Sequence, residues 1–395
     1  MNKKKLLTIM LFSISVVSFG QFTEINTGFT GNLFDTYFSS DSLGYVVGGD
    51  ATQSIIFKTT DGGASWNSYT NSNTSWLYGV NFVDDSTGYV CGNSGVVYKT
   101  IDGGQNWSQL ITGTTEWIMS IHFVNENVGY CVGNNGLIMK TTNGGTTWVQ
   151  QTSNTNTWLL STFFTGVNEG YAVGVNGTAL KTVDGGSTWS SFSPNTSNTL
   201  SDVFFLDDST GFCTGFNGTL IKTIDYGNTW QILNTNTVEH LQSVNFFNAN
   251  YGYAVGNGST ILSTQDGGTT WGAEIAPTNI DLNEVFMTGS NIIIAGDSGR
   301  ILTEQLVLNT QDILTFQNIM LYPNPTSDFV NLELGTNYSN IVVEVRNLLG
   351  QTMLYRNYQK NEPLNIDLSG LSTATYLVNV FIDETSSYSF KVLKK

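Results

Sequence analysis

Tryptophan recurs in this chain at a fixed interval of 41 residues, and this period constrains the fold more than any other feature. Each of the six tryptophans closes the same phrase, which first reads Thr59-Thr60-Asp61-Gly62-Gly63-Ala64-Ser65-Trp66. A period of about 40 residues indicates one supersecondary unit repeated in tandem, whose copies bury their apolar faces against each other. The six tryptophans are Trp66, Trp107, Trp148, Trp189, Trp230 and Trp271.

Each copy of the repeat predicts four short strands. In the copy that starts at Trp76, apolar and polar residues alternate to Val83, and apolar runs follow at 88–92 and 95–100. An Asp-Gly-Gly turn then leads into a fourth strand over 107–111. Short strands separated by Gly, Asn and Asp turns predict an antiparallel meander, which is the blade of a β-propeller.

The number of copies predicts seven blades. Gly-Tyr or Gly-Phe pairs mark the second strand of six copies, and a seventh copy at 292–303 lacks the tryptophan phrase. Residues 22–28 resemble a fourth strand without a blade of its own. We therefore predict an all-β chain with a seven-bladed propeller over 21–310, in which strand 22–28 completes the last blade. Such closure removes free sheet edges.

The repeated phrase resembles the Asp-box, or BNR repeat, and residues 22–307 resemble the photosystem II assembly factor-like propellers. The resemblance implies that the box Asp caps amides in the turn between third and fourth strands, and that Trp packs between blades. It also implies a backbone conformation at the second Gly that a Cβ would resist. We interpret the box positions as structural, because a general acid or base would not tolerate the Asn in the third copy. They are Asp61, Asp102, Asn143, Asp184, Asp225 and Asp266.

The N-terminus reads as a signal peptide over 1–20. Three lysines at 3–5 precede an apolar core over 6–17 and a small-x-small cleavage site at 18–20. A membrane anchor is the alternative, but the apolar stretch is shorter than the roughly 20 residues that a spanning helix needs. No Cys follows the cleavage point, which disfavours a lipoprotein. The sequence thus predicts export and no transmembrane segment in the mature chain.

The tryptophan period ends near Thr310, and we expect a linker over 311–319 before a second module over 320–395. Pro-containing residues 322–325 precede strand-like runs that predict a small Ig-like β-sandwich. The predicted strands are Phe329–Leu334, Ile341–Val345, Leu364–Leu368, Tyr376–Ile382 and Ser389–Leu393.

Several pieces of this module occur in an order that resembles the type A C-terminal sorting domain of the Bacteroidetes type IX secretion system. Ala374 departs from the family pattern, which has Gly there. The resemblance implies handling by the type IX machinery, passage through the periplasm to the cell surface or the medium, and removal of the tail. An ordinary Ig-like adhesion module is the alternative. The matching pieces are Tyr322–Pro325, Asn347–Gln351, Asp367–Leu371, Tyr376–Val378 and Lys391–Lys395.

The charge balance and the rare residue types exclude several functions. A net charge of −16 disfavours nucleic acid as a partner, since binding it requires clustered Lys and Arg. His122 and His240 lie far apart in sequence and give no metal-ligand spacing, and no cofactor is predicted. We expect Cys91, Cys131 and Cys213 to be buried thiols, since Cys91 is shifted by one residue and a disulfide would have to cross the fold.

Enzymatic activity is not predicted, although some Asp-box propellers are glycosidases. Sialidases hold the substrate carboxylate with three arginines, whereas residues 21–306 contain only Arg300. The same count argues against the basic partner patch of the assembly factors. Asp-box xyloglucanases use two Asp in a cleft between two propellers, and only one propeller is predicted here. A glycoside hydrolase remains the alternative function, with four acids as candidates: Asp35, Asp202, Asp281 and Glu284.

Two further sets repeat with the blades. Lysine precedes the box Thr in five copies, which fits either a ring of cations or stems that pair with blade carboxylates. Trp76, Trp117 and Trp158 open the first strand of three adjacent blades, whereas the later copies carry Thr199, His240 and Asp281. Because such an uneven pattern is not needed for the scaffold, we predict that these tryptophans bind a glycan or protein partner. Packing between loops is the alternative reading.

Overall fold

The computed structural model describes residues 22–71, 76–305, 319–322, 326, 328–334, 340–347, 351–359, 364–382 and 386–395. The chain divides before Val307 into two compact units. The predicted signal peptide, linker residues 311–318 and the motif residues 323–325 and 348–350 lie outside the described residues. Within the described ranges, no helix is long and apolar enough to cross a membrane.

The first unit consists of seven four-stranded antiparallel sheets, the blades of a propeller. Blade 1 contains β2 (Asn32–Phe38), β3 (Gly44–Gly49), β4 (Ser54–Thr59) and β5 (Asn67–Asn71). Blade 2 contains β6 (Leu77–Phe82), β7 (Gly88–Gly92), β8 (Val97–Thr100) and β9 (Ser108–Leu110). Blade 3 contains β10 (Ile118–Phe123), β11 (Gly129–Gly133), β12 (Ile138–Thr141) and β13 (Val149–Gln150). Blade 4 contains β14 (Leu159–Phe164), β15 (Gly170–Gly174), β16 (Ala179–Thr182) and β17 (Ser190–Ser191).

The remaining blades follow the same order, except that the last one is built from both ends of the unit. Blade 5 contains β18 (Leu200–Phe205), β19 (Gly211–Gly215), β20 (Thr219–Thr223) and β21 (Gln231–Ile232). Blade 6 contains β22 (Leu241–Phe246), β23 (Gly252–Gly256), β24 (Thr260–Thr264) and β25 (Gly272–Ala273). Blade 7 contains β26 (Leu282–Met287), β27 (Asn291–Gly296), β28 (Arg300–Gln305) and, outermost, β1 (Thr23–Asn26). In blade 7, β1 pairs antiparallel with β28, with Thr23 opposite Thr303.

Antiparallel strands give the propeller two distinct faces. The inner strands begin at one end, which also carries the turns between second and third strands, and we name this end the mouth face. Four of these turns contain a short 3-10 helix: Asn93–Gly95, Asn134–Gly136, Val175–Gly177 and Asp297–Gly299. The other end carries the tryptophan phrases and is named the box face.

A repeated aromatic unit forms the core between neighbouring blades. Tyr89 in the second strand of blade 2 stacks on Phe123 in the inner strand of blade 3, with ring centroids 3.6 Å apart. The box Trp148 meets the same Phe123 ring edge-on at 6.0 Å. A Cβ on Gly129 would lie 2.6 Å from this ring, so the Gly of each Gly-Tyr pair makes room for the phenylalanine. Blade stacking therefore explains why these residue types recur.

The three cysteines are free and buried, as predicted. The expectation that a disulfide would cross the fold is wrong for one pair. Cys91 faces blade 3 and Cys131 faces blade 2, so both lie in the core between these two blades. The shift of one residue that separates them in the repeat turns the two side chains toward each other, because successive residues of a strand point to opposite faces.

The second unit contains two antiparallel sheets around one core. Its strands are β29 (Ile319–Tyr322), β30 (Phe329–Leu334), β31 (Asn340–Asn347), β32 (Thr352–Gln359), β33 (Asn365–Asp367), β34 (Ala374–Ile382) and β35 (Ser386–Lys394). One sheet has the order β29-β30-β33 and the other β32-β31-β34-β35. Buried side chains of both sheets form the core, among them Val330, Val343, Ile366 and Val378. Sequence analysis missed β29 and β32.

Candidate functional site

The Asp-box turns show how the repeated carboxylates are used. In blade 1, Asp61 Oδ1 accepts hydrogen bonds from the Ser65 amide at 2.9 Å and the Thr59 hydroxyl at 2.7 Å. Its other oxygen accepts one from the Ser65 hydroxyl at 2.6 Å. Bonds from the hydroxyl and then the amide of Ser65 lower the Asp61 pKa to about 2. Asn143 accepts the equivalent amide bond from Thr147 at 2.9 Å. The carboxylates are thereby occupied within their own turns.

The repeated lysines join each blade to the next one through a main-chain carbonyl. In blade 3, Lys140 Nζ and the Tyr130 hydroxyl both donate to the carbonyl oxygen of Gly185 in the box of blade 4, at 2.6 and 2.9 Å. Lys140 Nζ also lies 5.4 Å from the centre of the Tyr130 ring. We call this arrangement the clasp. The expected pairing with blade carboxylates is therefore corrected, although Lys181 additionally contacts Glu169 at 2.8 Å. The lysines are Lys58, Lys99, Lys140, Lys181 and Lys222.

The clasp changes along the ring. Between blades 5 and 6, Phe212 replaces the tyrosine, and Lys222 alone of the pair reaches the carbonyl of Gly267, at 2.6 Å. In blade 6, Ser263 occupies the lysine position, and the buried Tyr253 hydroxyl has no hydrogen-bond partner among the described residues. Blade 7 has no box that could supply an acceptor to blade 6, and at the junction with blade 1 Asn291 Nδ2 donates to the box carbonyl of Gly62, at 3.5 Å, in place of a lysine. The last two junctions thus lack the clasp.

A polar ring lines the inner strands at equivalent positions. Asp35 Oδ2 accepts a hydrogen bond from the Val80 amide of the next blade at 2.7 Å, and Asp202 Oδ2 accepts one from the Val244 amide at 3.2 Å. Glu284 accepts one from the Ser243 hydroxyl at 2.6 Å. Burial raises the pKa of Asp35 to about 7, and burial followed by the charges of Asp202 and Asp35 raises the pKa of Glu284. Asp35 and Asp202 thus use their oxygens to join blades.

The three predicted tryptophans lie on the mouth face, where the structure brings them into one row of rings. Trp117 and Trp158 meet edge-on, with centroids 5.8 Å apart, and each is about two-fifths exposed, at 40% and 41%. Tyr78 links Trp117, at 6.1 Å, to Phe34, at 5.2 Å. Phe34 in turn lies 5.7 Å from Trp76, which is half-buried. We call these five residues the aromatic row.

The row crosses blades 1 to 4, and sequence analysis missed two of its members. Phe34 and Tyr78 stand two residues after the first-strand start in blades 1 and 2, at a β-bulge of each inner strand. That spacing is the signal that would have found them. His240, at the tryptophan position of blade 6, stacks instead on Phe216, with centroids 3.7 Å apart. His122 is half-buried beside Phe163, and desolvation of its ring lowers its pKa to about 4.

Other blades use the tryptophan position for a structural hydrogen bond. Thr199 Oγ1 accepts from the Asn176 amide at 3.4 Å, Asp281 Oδ1 accepts from the Gly258 amide at 2.9 Å, and Asn32 Oδ1 accepts from the Ser298 amide at 3.4 Å. Each amide belongs to the turn between second and third strands of the preceding blade. An indole ring has no oxygen acceptor, so tryptophan cannot make this bond. Blades 3 and 4 therefore carry exposed rings, and blade 2 a half-buried ring, at a position that caps a turn in blades 1, 5 and 7.

The two faces differ in where their cations lie. All five repeated lysines approach the box face, where their Nζ atoms are held by the clasp. On the described part of the mouth face the one cation is Arg300, which pairs with Glu24 at 2.8 Å. The mouth face also carries carboxylates, as does the box face in its boxes and in the turns between first and second strands; the mouth-face acids are Glu24, Asp50, Glu116, Glu239, Asp281 and Asp297. The aromatic row thus lies on an acidic face.

Comparison with known families supports this architecture. The sequence profile of the family described as photosynthesis system II assembly factor YCF48 matches residues 14–115, 70–150, 106–197 and 228–321, together more than half of the chain. The chain belongs to this family. Residues 320–395 match the secretion system C-terminal sorting domain, which indicates secretion to the cell surface or the medium by the type IX system. No curated protein matches the chain.

Solved structures of YCF48 share the fold. A structure titled YCF48 bound to D1 peptide has a TM-score of 0.63 and 21% identity, and the match covers 74% of this chain and 98% of that chain. YCF48 from Cyanidioschyzon merolae has a TM-score of 0.62 and 21% identity, covering 72% and 99%. The WD40 β-propeller domain of Doa1 has a TM-score of 0.60 and 12% identity, covering 73% and 96%. The predicted all-β propeller of the YCF48 type is thereby confirmed.

Proposed function

We propose that this chain is an exported, non-catalytic binding module and that the aromatic row is its contact surface for a segment of a partner protein. The observation that carries the proposal is the continuity of five rings across four blades, with Trp117 and Trp158 about two-fifths exposed. Aromatic side chains supply large contact area at low cost in conformational entropy and dominate interface energetics.

The family supports a protein partner over a glycan. The YCF48 structure solved with a D1 peptide indicates that a propeller of this type can hold a peptide. The sorting domain places the binding module at the cell surface or in the medium, after which removal of residues 320–395 would release or attach it. We propose no catalytic step, because Asp35 and Asp202 already accept bonds from the next blade.

The proposal is tested by applying the full chain to a peptide array and a glycan array. We expect peptide binding that is lost in the Trp117→Ala/Trp158→Ala variant. The matched control is Tyr69→Ala, which removes a ring of equal exposure, 40%, from the outer strand of blade 1. Retained peptide binding by the tryptophan variant, or binding to glycans alone, would contradict the proposal. An unchanged urea unfolding midpoint establishes that the variants are folded.

A further inference from the structure

We propose that the aromatic row binds a positively charged segment, rich in Arg or Lys, of its partner protein. This inference rests on the proposed function and adds the chemistry of the partner. It follows from the charges beside the row and from the orientation of its rings.

Two carboxylates lie beside the row. Glu116 directly precedes Trp117, and its Oε2 accepts a hydrogen bond from Asn135 Nδ2 at 3.0 Å without a cationic partner among the described residues. In the blade 1 part of the row, Asn283 Nδ2 donates both to Asp297 Oδ1, at 2.9 Å, and to the carbonyl of Leu33, at 2.8 Å. Since Leu33 precedes Phe34, Asp297 lies beside the end of the row. The row therefore has one carboxylate beside Trp117 and another near Phe34.

The cations that could neutralise this face are held elsewhere. The five lysines bind box carbonyls at the opposite end of the propeller, and Arg300 is engaged by Glu24. Burial raises the pKa of Asp297, and the nearby negative charge of Asp281 adds a smaller increase. A partner that brings cations would relieve this repulsion, whereas an acidic or phosphorylated segment would increase it.

The rings themselves suit cations. A guanidinium or ammonium group is attracted to the face of an indole, and Trp is the strongest of the three aromatic residues in this respect. Trp117 and Trp158 stand edge-to-face, so the two rings offer faces in different directions instead of one flat platform. Alternating side chains of an extended segment could place successive cations over such faces with their charges toward Glu116.

The experiment measures binding of three dye-labelled peptides to the full chain by fluorescence anisotropy. The peptides have about a dozen residues, lack aromatic side chains, and differ only in carrying Arg, Gln or Glu at alternate positions. We expect the Arg peptide to bind about ten-fold more tightly than the Gln peptide, with the Glu peptide weakest. Added salt should weaken only the Arg peptide toward the affinity of the Gln peptide.

Two matched double variants separate local charge from net charge. Glu116→Gln/Asp297→Asn should weaken the Arg peptide about five-fold and leave the Gln peptide unchanged. Glu126→Gln/Asp208→Asn removes the same charge from exposed acids of the box face and should leave all affinities unchanged. An equal loss in both double variants would mean that net charge alone attracts the peptide, which overturns the proposal.

The outcomes also distinguish this inference from the proposed function. Equal affinities of the Arg and Gln peptides, both lost in Trp117→Ala/Trp158→Ala, would retain the row as a contact surface and overturn its preference for cations. Failure of the Arg peptide to bind would overturn the preference as well, while the array experiment decides the proposed function separately. Arg-peptide binding that survives Trp117→Ala/Trp158→Ala would refute both.

Discussion

The clasp between blades 3 and 4 makes a quantitative prediction about shared hydrogen bonds. Tyr130→Phe removes one of two donors to the Gly185 carbonyl, and Lys140→Met removes the other while keeping most of the apolar stem. Each single variant leaves the buried carbonyl paired, so each should cost about 1 kcal/mol in the free energy of unfolding. The double variant leaves the carbonyl without either donor and should cost a further 1–3 kcal/mol or so beyond the sum.

The assay is urea unfolding of the full chain, followed by tryptophan fluorescence. Every one of the nine tryptophans lies between residues 66 and 271, so the signal reports the propeller and not the C-terminal unit. Blade 5 supplies a natural control, because Phe212 has no hydroxyl and the Gly267 carbonyl depends on Lys222. Lys222→Met should therefore cost about 1–2 kcal/mol more than Lys140→Met.

Additive costs would refute this reasoning. If the Tyr130→Phe/Lys140→Met variant equals the sum of its singles within about 0.5 kcal/mol, the carbonyl does not need either donor. Equal effects of Lys222→Met and Lys140→Met would lead to the same conclusion, and the clasp would then contribute only through packing of its stems.

Three further predictions concern stability and reactivity. Tyr226 has a φ of +62°, a left-handed conformation that is unfavourable for a residue with a Cβ, and other boxes have Gly at this position. Tyr226→Gly should therefore raise the free energy of unfolding by about 1 kcal/mol, and a lower urea midpoint would contradict this. Burial raises the pKa of Asp35 from 3.8 to about 7, and burial also raises the pKa of Glu284. At pH values between the unfolded and the folded pKa of these groups, the folded propeller therefore binds more protons than the unfolded chain. The free energy of unfolding should then increase as the pH falls from about 8 to 5, and less so in Asp35→Asn; a flat profile would count against it. Burial raises the pKa of the thiols of Cys91, Cys131 and Cys213. These thiols should therefore react with a disulfide reagent only after denaturation, and fast labelling of the native chain would disprove their burial.

The period of the sequence was sufficient to predict the blades, because each repeated residue type has a steric reason. The Gly of a Gly-Tyr pair, the stacked ring and the box Trp are all required by the same aromatic unit. The period could not identify the partners of a repeated residue. Lysine at one position in five copies indicates a common contact, but a carbonyl and a carboxylate both satisfy an ammonium group.

The strands missed in the C-terminal unit show a second limit. All but two side chains of β32 are exposed, so the strand lacks the apolar alternation that marked its neighbours. The aromatic row was found only in part for a related reason. Trp76, Trp117 and Trp158 share a repeat position, whereas Phe34 and Tyr78 enter the row from another position and contact it across blade boundaries.

The two junctions of blade 7 lack the clasp, and this absence determines where the propeller can open locally. A lysine connects the blades at five junctions, whereas in blade 6 the Tyr253 hydroxyl has no hydrogen-bond partner in the part of the chain that the structure describes. Blade 7 also requires pairing between β1 and β28, which are some 280 residues apart in the sequence. We therefore expect local opening of the propeller to occur more readily at blade 7 than at the other blades. Amide hydrogen exchange should then be faster in β26 and β27 than in the corresponding strands of blade 4.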